Sequence, residues 1–355
     1  MVLHPRSTFA LPFLIAFIVL FVACTGNKSQ SGSDTGRSGE THTTAGKGNP
    51  ATTATAAGLR AAPTAVAAIE FVWATDGAPD ALRRPVSLAA DRQANVFVLD
   101  SGNGRIAKFD SSGKLLTTWG STGSGDGQFV FQMQGIFRGR PGGLAVDGQG
   151  IVYVADLTGR IQKFQSDGTF IETWVAEDSP AGQPAAPSSL AVDAAGNVYL
   201  ADTRNSLVQK FDSHGKFLGK WGSRGGGDGQ FNGLGGLAID SRGSIYVADD
   251  GNHRIEKFDD LGNFLYQWTT GADTRGEFFR TGDVAVDLED NVYLTDNRDG
   301  HRIELFDKFG KLLGQWTGAA DGGQLANARG IAVTAQRDIY VADPIAGRIE
   351  KFHLP

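Results

Sequence analysis

Two histidines, His253 and His301, each stand directly before an arginine (Arg254, Arg302) and a few residues after an aspartate (Asp249, Asp296). Imidazoles at matched positions are zinc-ligand candidates, but zinc needs at least three protein ligands. The matching segment further on offers Ile345 and Ala346 instead of another His. The pair is therefore expected to be surface-turn histidines and no cofactor is expected, with zinc or calcium as the alternative. Asp recurs at 100, 156, 202, 249, 296 and 343, and Arg follows at 105, 160, 254, 302 and 348. A ring of carboxylates could bind a cation. The competing reading is that each Asp accepts backbone N–H bonds in its turn and pairs with its Arg, which a residue repeated in every copy is expected to do. One copy departs from the pattern: Leu207 replaces the Arg, which makes Asp202 and the nearby Arg204 candidate ligand-binding residues.

Other chemistries find no support in the residue pattern. The run Gly222-Ser-Arg-Gly-Gly-Gly-Asp-Gly-Gln-Phe231 has no Lys-Ser/Thr after it and opens no helix, so it is not a phosphate loop. Its near-copy after Trp119 (GSTGSGDGQF) marks both as connections that need positive φ angles. Asp296-Asn-Arg-Asp-Gly300 starts like a calcium loop but lacks the distal Glu. With one cysteine, Cys24, neither a disulfide framework nor a CxxC metal site can form.

The elements that carry these residues repeat. Matching segments begin at Leu88, Leu144, Leu190, Leu237, Val284 and Ile331, spaced by 56, 46, 47, 47 and 47 residues. Each reads as a short strand, a turn, a strand ending in Asp, a turn, a strand ending in Phe, a Gly-containing turn and a strand ending in Trp. Four short strands in a unit of this length predict a blade of an all-β, six-bladed β-propeller over residues 66–355. Of the six tryptophans, Trp119, Trp174, Trp221, Trp268 and Trp316 close the first five copies. The sixth copy ends at Pro355 without one, while Trp73 lies upstream in IEFVWATDG. An N-terminal strand within residues 69–75 is therefore expected to close the last blade, leaving no open ring edge.

The strand-Asp pattern followed by Gly251-Asn-His-Arg-Ile255 is similar to the NHL repeat, and the likeness spans residues 69–355. It implies a propeller whose ligands bind on the face bearing the strand two–three turns and the interblade connections. Some relatives of that family, the peptide α-amidating lyases, are metal-dependent. On the implied ligand face lies the clearest departure from the repeat. From Trp to the next copy's first aliphatic residue takes 16 positions in three connections but 25 from Trp119 to Leu144. This insertion either folds over its own blade as a satellite cluster or presents Phe131, Met133 and Phe137 to a partner. Arg138 and Arg140 beside it would suit an anionic or peptide ligand.

Residues 9–23 are almost wholly apolar, and at about 1.5 Å rise per residue they fall short of the ~30 Å membrane core, as a signal-peptide h-region does. The following Leu20-Phe21-Val22-Ala23-Cys24 resembles a bacterial lipobox, which implies lipidation at Cys24. The alternative is an uncleaved anchor with a bystander thiol. Residues 25–65 are rich in Ser, Thr, Gly, Ala and Asn and are expected to form a disordered tether reaching roughly 35 Å. Residues 69–355 carry 28 basic and 37 acidic side chains. An acidic domain is a poor nucleic-acid binder and an unlikely partner for an anionic lipid surface.

Two functions follow as expectations. The first is a binding or scaffold module of the cell envelope, outside the cytoplasmic membrane, attached only through a lipid anchor and holding a protein or peptide. The second is an extracytoplasmic metal-dependent lyase or lactonase resembling the peptide α-amidating lyases. The generic repeats and missing catalytic constellation favour the first.

Overall fold

A computed structural model describes residues 68–75, 81–132, 141–177, 185–269, 281–296, 301–317 and 325–355. The expected leader (1–24, with Cys24), the expected tether (25–65) and Met133, Phe137, Arg138 and Arg140 of the insertion lie outside these residues.

Alternating Val, Ile, Tyr and Phe form short strands that pair antiparallel into six four-stranded sheets. Blade four is representative, with strands Leu234–Ile239, Ile245–Asp249, Arg254–Phe258 and Phe264–Thr269 hydrogen-bonded in that order. The innermost strands of successive blades neighbour one another around a closed ring. The molecule is an all-β, six-bladed propeller, as its period predicts. Every residue of Ile245–Asp249 is buried because neighbouring blades cover both faces of the second strand. The outermost Phe264–Thr269 alternates half-buried and exposed residues. Five second-strand tyrosines (Tyr153, Tyr199, Tyr246, Tyr293, Tyr340) and Phe97 fill the spaces between blades.

Ring closure follows the expected route. Glu70–Ala74 pairs with Arg348–His353 of blade six, with Glu70 opposite His353 and Ala74 opposite Glu350. A Cβ added at Gly168, Gly215, Gly262 or Gly310 would meet the indole of the preceding blade's Trp119, Trp174, Trp221 or Trp268. Trp73 makes the same contact with Gly113 of blade one. Lysines add a second staple. Lys163 Nζ donates to Ser213 O at 2.8 Å and Lys210 Nζ to Asp260 O at 2.8 Å, each across to the next blade. Across the closure, Lys351 Nζ and Trp73 Nε1 both donate to Ser111 O, at 3.2 and 3.1 Å. The upstream indole thus does for blade one what Trp119, Trp174, Trp221 and Trp268 do for their successors.

Because consecutive strands alternate in direction, the strand two–three turns and interblade connections share one face. The one–two and three–four turns share the other. The chain enters on this second face, since Glu70 sits beside the end of strand three of blade six.

Candidate functional site

On the face of the two–three turns, the six repeated aspartates are all fully buried. Five of them reach back to the chain entering their own blade. Asp100 Oδ1 accepts from Arg83 N at 2.7 Å, Asp202 Oδ1 from Ala186 N at 3.0 Å, and Asp249 Oδ1 from Asn232 N at 2.8 Å. Asp156 Oδ2 accepts from Val130 N at 3.2 Å and Asp343 Oδ2 from Asn327 N at 3.0 Å. In four blades the guanidinium expected from the sequence supplies the charge partner, at 2.9 Å for Arg105, 3.0 Å for Arg160, 3.1 Å for Arg254 and 2.8 Å for Arg302. This is the geometry of a scaffold: donors aimed at a buried carboxylate satisfy its lone pairs from within the fold.

Arg254 shows what the glycine-rich connections do. It is 6% exposed, and its guanidinium donates to the carbonyls of Gly226 (3.0 Å), Gly227 (2.8 Å) and Gln230 (2.6 Å). Arg160 holds the near-copy the same way, through Gly125 O at 3.1 Å and Gln128 O at 2.5 Å. The connection curls its carbonyls around a cation of its own blade. Gly127 and Gly229, at φ +72° and +69°, supply the left-handed residue that turn requires.

Two residues further along strand three lies a position that the sequence does not single out. Gln162 there accepts from Gly127 N (2.8 Å) and donates to Gln128 O (2.7 Å). Gln209 likewise bonds both N and O of Glu177, each at 2.9 Å. Blades four, five and six place fully buried Glu256, Glu304 and Glu350 at this register. Glu256 Oε1 accepts from Gly229 N at 3.0 Å, while Oε2 has no hydrogen-bond partner. Burial pushes the Glu256 carboxyl up to about 7, against the downward pull of Gly229 N–H and Arg254. Burial likewise pushes Glu304 up to about 7 and raises Glu350. The signal available in the sequence was Gln or Glu at a matched place in five of six repeats; that it is buried depends on packing.

The structure separates the sequence candidates. In blade three the second oxygen of Asp202 is held by Asn205 Nδ2 at 2.7 Å and Gln209 Nε2 at 3.3 Å. Arg204 is exposed on the same turn. Of the two readings open for Phe131, packing rather than presentation to a partner is what the structure shows. Phe131 is 3% exposed and stacks on Phe129 at 5.1 Å in the wedge between blades one and two. Val130 O accepts from Leu157 N at 3.0 Å and Gln132 Nε2 donates to Ser101 O at 3.3 Å, so the insertion departs between the two–three turns of blades one and two. His253 and His301 hold equivalent positions in adjacent blades, both at positive φ (57° and 37°). His301 Nδ1 is enclosed without a hydrogen-bond partner. Among the described residues no group of three or more His, Cys, Asp or Glu side chains is placed to hold a metal.

On the opposite face, a groove of about 580 Å³ between blades two and three is lined by Asp147, Tyr153, Lys163, Asp193, Ser213 and His214, among others. Three of its charged groups are engaged within the fold: Lys163 Nζ donates to Glu172 at 2.9 Å, and Asp147 and Asp193 accept the N–H groups of their own turns.

The model of the NHL repeat matches residues 185–211 and 231–258, which are parts of blades three and four. No curated protein matches the chain in sequence. Among solved structures, a streptogramin B lyase is similar at TM-score 0.53 and 13% identity, over 80% of this chain and 98% of its own. A catalytically inactive virginiamycin B lyase from Staphylococcus aureus with quinupristin is similar at TM-score 0.53 and 12% identity, over 81% of this chain and 88% of its own. Identities this low carry the fold and no more. The chain is a six-bladed β-propeller that carries NHL repeats in the matched parts of blades three and four.

Proposed function

We propose that the protein is an extracytoplasmic binding module, tethered to a membrane through Cys24, that holds a protein or peptide on the face of the two–three turns. One observation carries the reading. Side chains that recur in every blade are consumed in holding backbone, whereas several that differ between blades emerge on this face together with the insertion. Arg204, His253, His301 and Ile345 are turn residues there, and the insertion departs from the same rim. A rigid ring presenting variable loops is the arrangement that recognition surfaces use. Within the insertion, Met133, Phe137, Arg138 and Arg140 are the proposed contacts, with Arg204 a further one on the same face.

The test is photo-crosslinking from the insertion in the native envelope, comparing the full chain with one lacking residues 133–138. Residues 130–132 are kept because the fold uses them. Loss of the crosslinked partner with a melting temperature unchanged within about 2 °C supports the proposal; an unchanged crosslink pattern refutes it.

A second reading, metal-dependent lyase chemistry, is favoured by the paired His253 and His301 and the unpartnered Nδ1 of His301. The described residues provide two imidazoles where zinc requires three protein ligands, so no step is derived through a metal. Stoichiometric zinc or calcium in the purified protein, lost in His253→Ala/His301→Ala, would favour this reading over the first.

A further inference from the structure

The face away from the proposed binding surface also breaks its repeat, and in blades four and five three of the breaks are large and apolar. Three–four turns share one hydrogen-bonded form, with Gly113, Gly168, Gly215, Gly262 and Gly310 N each donating to the residue three back. The residue before that glycine is Ser112, Asp167, His214, Leu261 and Phe309 in blades one to five. In the one–two turns, the first residue is Arg92, Gly148, Ala194, Ser241, Leu288 and Ala335. Leu261, Leu288 and Phe309 are 76, 73 and 70% exposed, all at turn tips of blades four and five. Side chains of this size left in water on one side of a ring call for a covering surface.

The position of the chain's entry says what covers them. Glu70 enters on this same face in blade six, next to blade five, with Glu289 and Arg337 paired across the two blades. The segment before it carries the apolar run 9–23 and Cys24. We infer that Leu261, Leu288 and Phe309 insert into the lipid surface to which the chain is anchored, holding the propeller with its two–three turns facing away from the membrane. The inference rests on the anchoring proposed above.

A flat bilayer suits separate tips on one face of a rigid ring, whereas a protein partner would need a continuous patch. The charge balance also selects the mode of contact. With 28 basic against 37 acidic side chains, attraction to anionic headgroups is weak, so contact is through apolar insertion at the interface. Lys308 lies over the Phe309 ring at 5.5 Å, a reach that would leave its ammonium among headgroups. Tethering within roughly 35 Å gives effective concentrations on the order of millimolar, so three tips of modest affinity are enough.

The test floats the full lipidated chain on phosphatidylcholine vesicles containing a phosphatidylcholine with a photoactivatable acyl chain, and maps the adducts. The expected result is adducts at residues 259–263, 287–290 and 307–312, with labelling at least about fivefold lower at Arg204 and Ile345. In Leu261→Ser/Leu288→Ser/Phe309→Ser the labelling falls to the level of Arg204, while flotation and melting temperature are retained. Flotation with no adduct on those turns overturns the inference and leaves anchoring intact; protein crosslinks there in place of lipid adducts overturn it as well. If the chain does not float, anchoring fails, and Cys24→Ser protein mixed with excess vesicles then decides the face alone: turn adducts uphold it and their absence overturns it.

Discussion

Arg254 is the residue on which most polar groups of blade four converge, because it faces Asp249, Glu256 and three carbonyls of the preceding connection. Removing a buried charge partner leaves the opposite charges uncompensated, so Arg254→Ala is expected to cost about 3–5 kcal/mol in urea unfolding at pH 7. Arg105→Ala, at a guanidinium 19% exposed against 6% for Arg254, should cost clearly less. Equal losses would mean that burial of the guanidinium does not set the cost. The neighbouring glutamates give a pH signature. Glu256 and Glu304 hold their protons up to about 7 when folded, against 4.5 ordinarily. Between these values the folded chain keeps protons that the unfolded chain releases, so their contribution to stability is full below pH 4.5 and lost as pH rises through about 7. Glu256→Gln/Glu304→Gln should remove that slope. It should leave the variant as stable as the parent at pH 4.5 and more stable at pH 8, by on the order of 3 kcal/mol per site at most. Parallel stability curves across that range would refute the assignment.

Among the elements, the unit that matters is a strand-four indole seated on the next blade's three–four turn. Gly215 has φ +79°, and a Cβ there would lie 2.5 Å from the Trp174 indole. Gly215→Val combines backbone strain with overpacking and is expected to destabilise by about 2–5 kcal/mol, seen as a lowered midpoint in chemical unfolding. The strand pattern and the Asp–Arg spacing were legible in the sequence because both are local: alternation has period two, and the ion pair lies within one hairpin. Three features were not. Phe131 reads equally as a packed or a presented aromatic in an insertion until blades one and two close around it. Asp202 finds its partners in Asn205 and Gln209, since an amide that reaches the carboxylate serves where Leu207 cannot. The glutamates of blades four to six read as ordinary strand-three polar residues until the blades assemble and bury them.

For the whole molecule, closure by the N-terminal strand determines whether six blades make a ring. A chain starting at residue 76 would lose Trp73 and the partner of Arg348–His353, exposing a strand edge and unseating Gly113. Compared with a chain starting at residue 68, it should melt at least about 10 °C lower and aggregate on heating. Matching melting curves would refute that role for the strand.

The amino-acid order alone determined the period, the blade number and the use of an upstream strand to supply the missing sixth indole, because each is written in contiguous residues repeated at near-constant spacing. Tertiary structure decided which polar side chains are buried, where Phe131 goes, and that Leu261, Leu288 and Phe309 share a face with the chain's entry point. The physical reason is that burial and facing are properties of surfaces made where different blades meet. No single repeat contains both sides of such a contact.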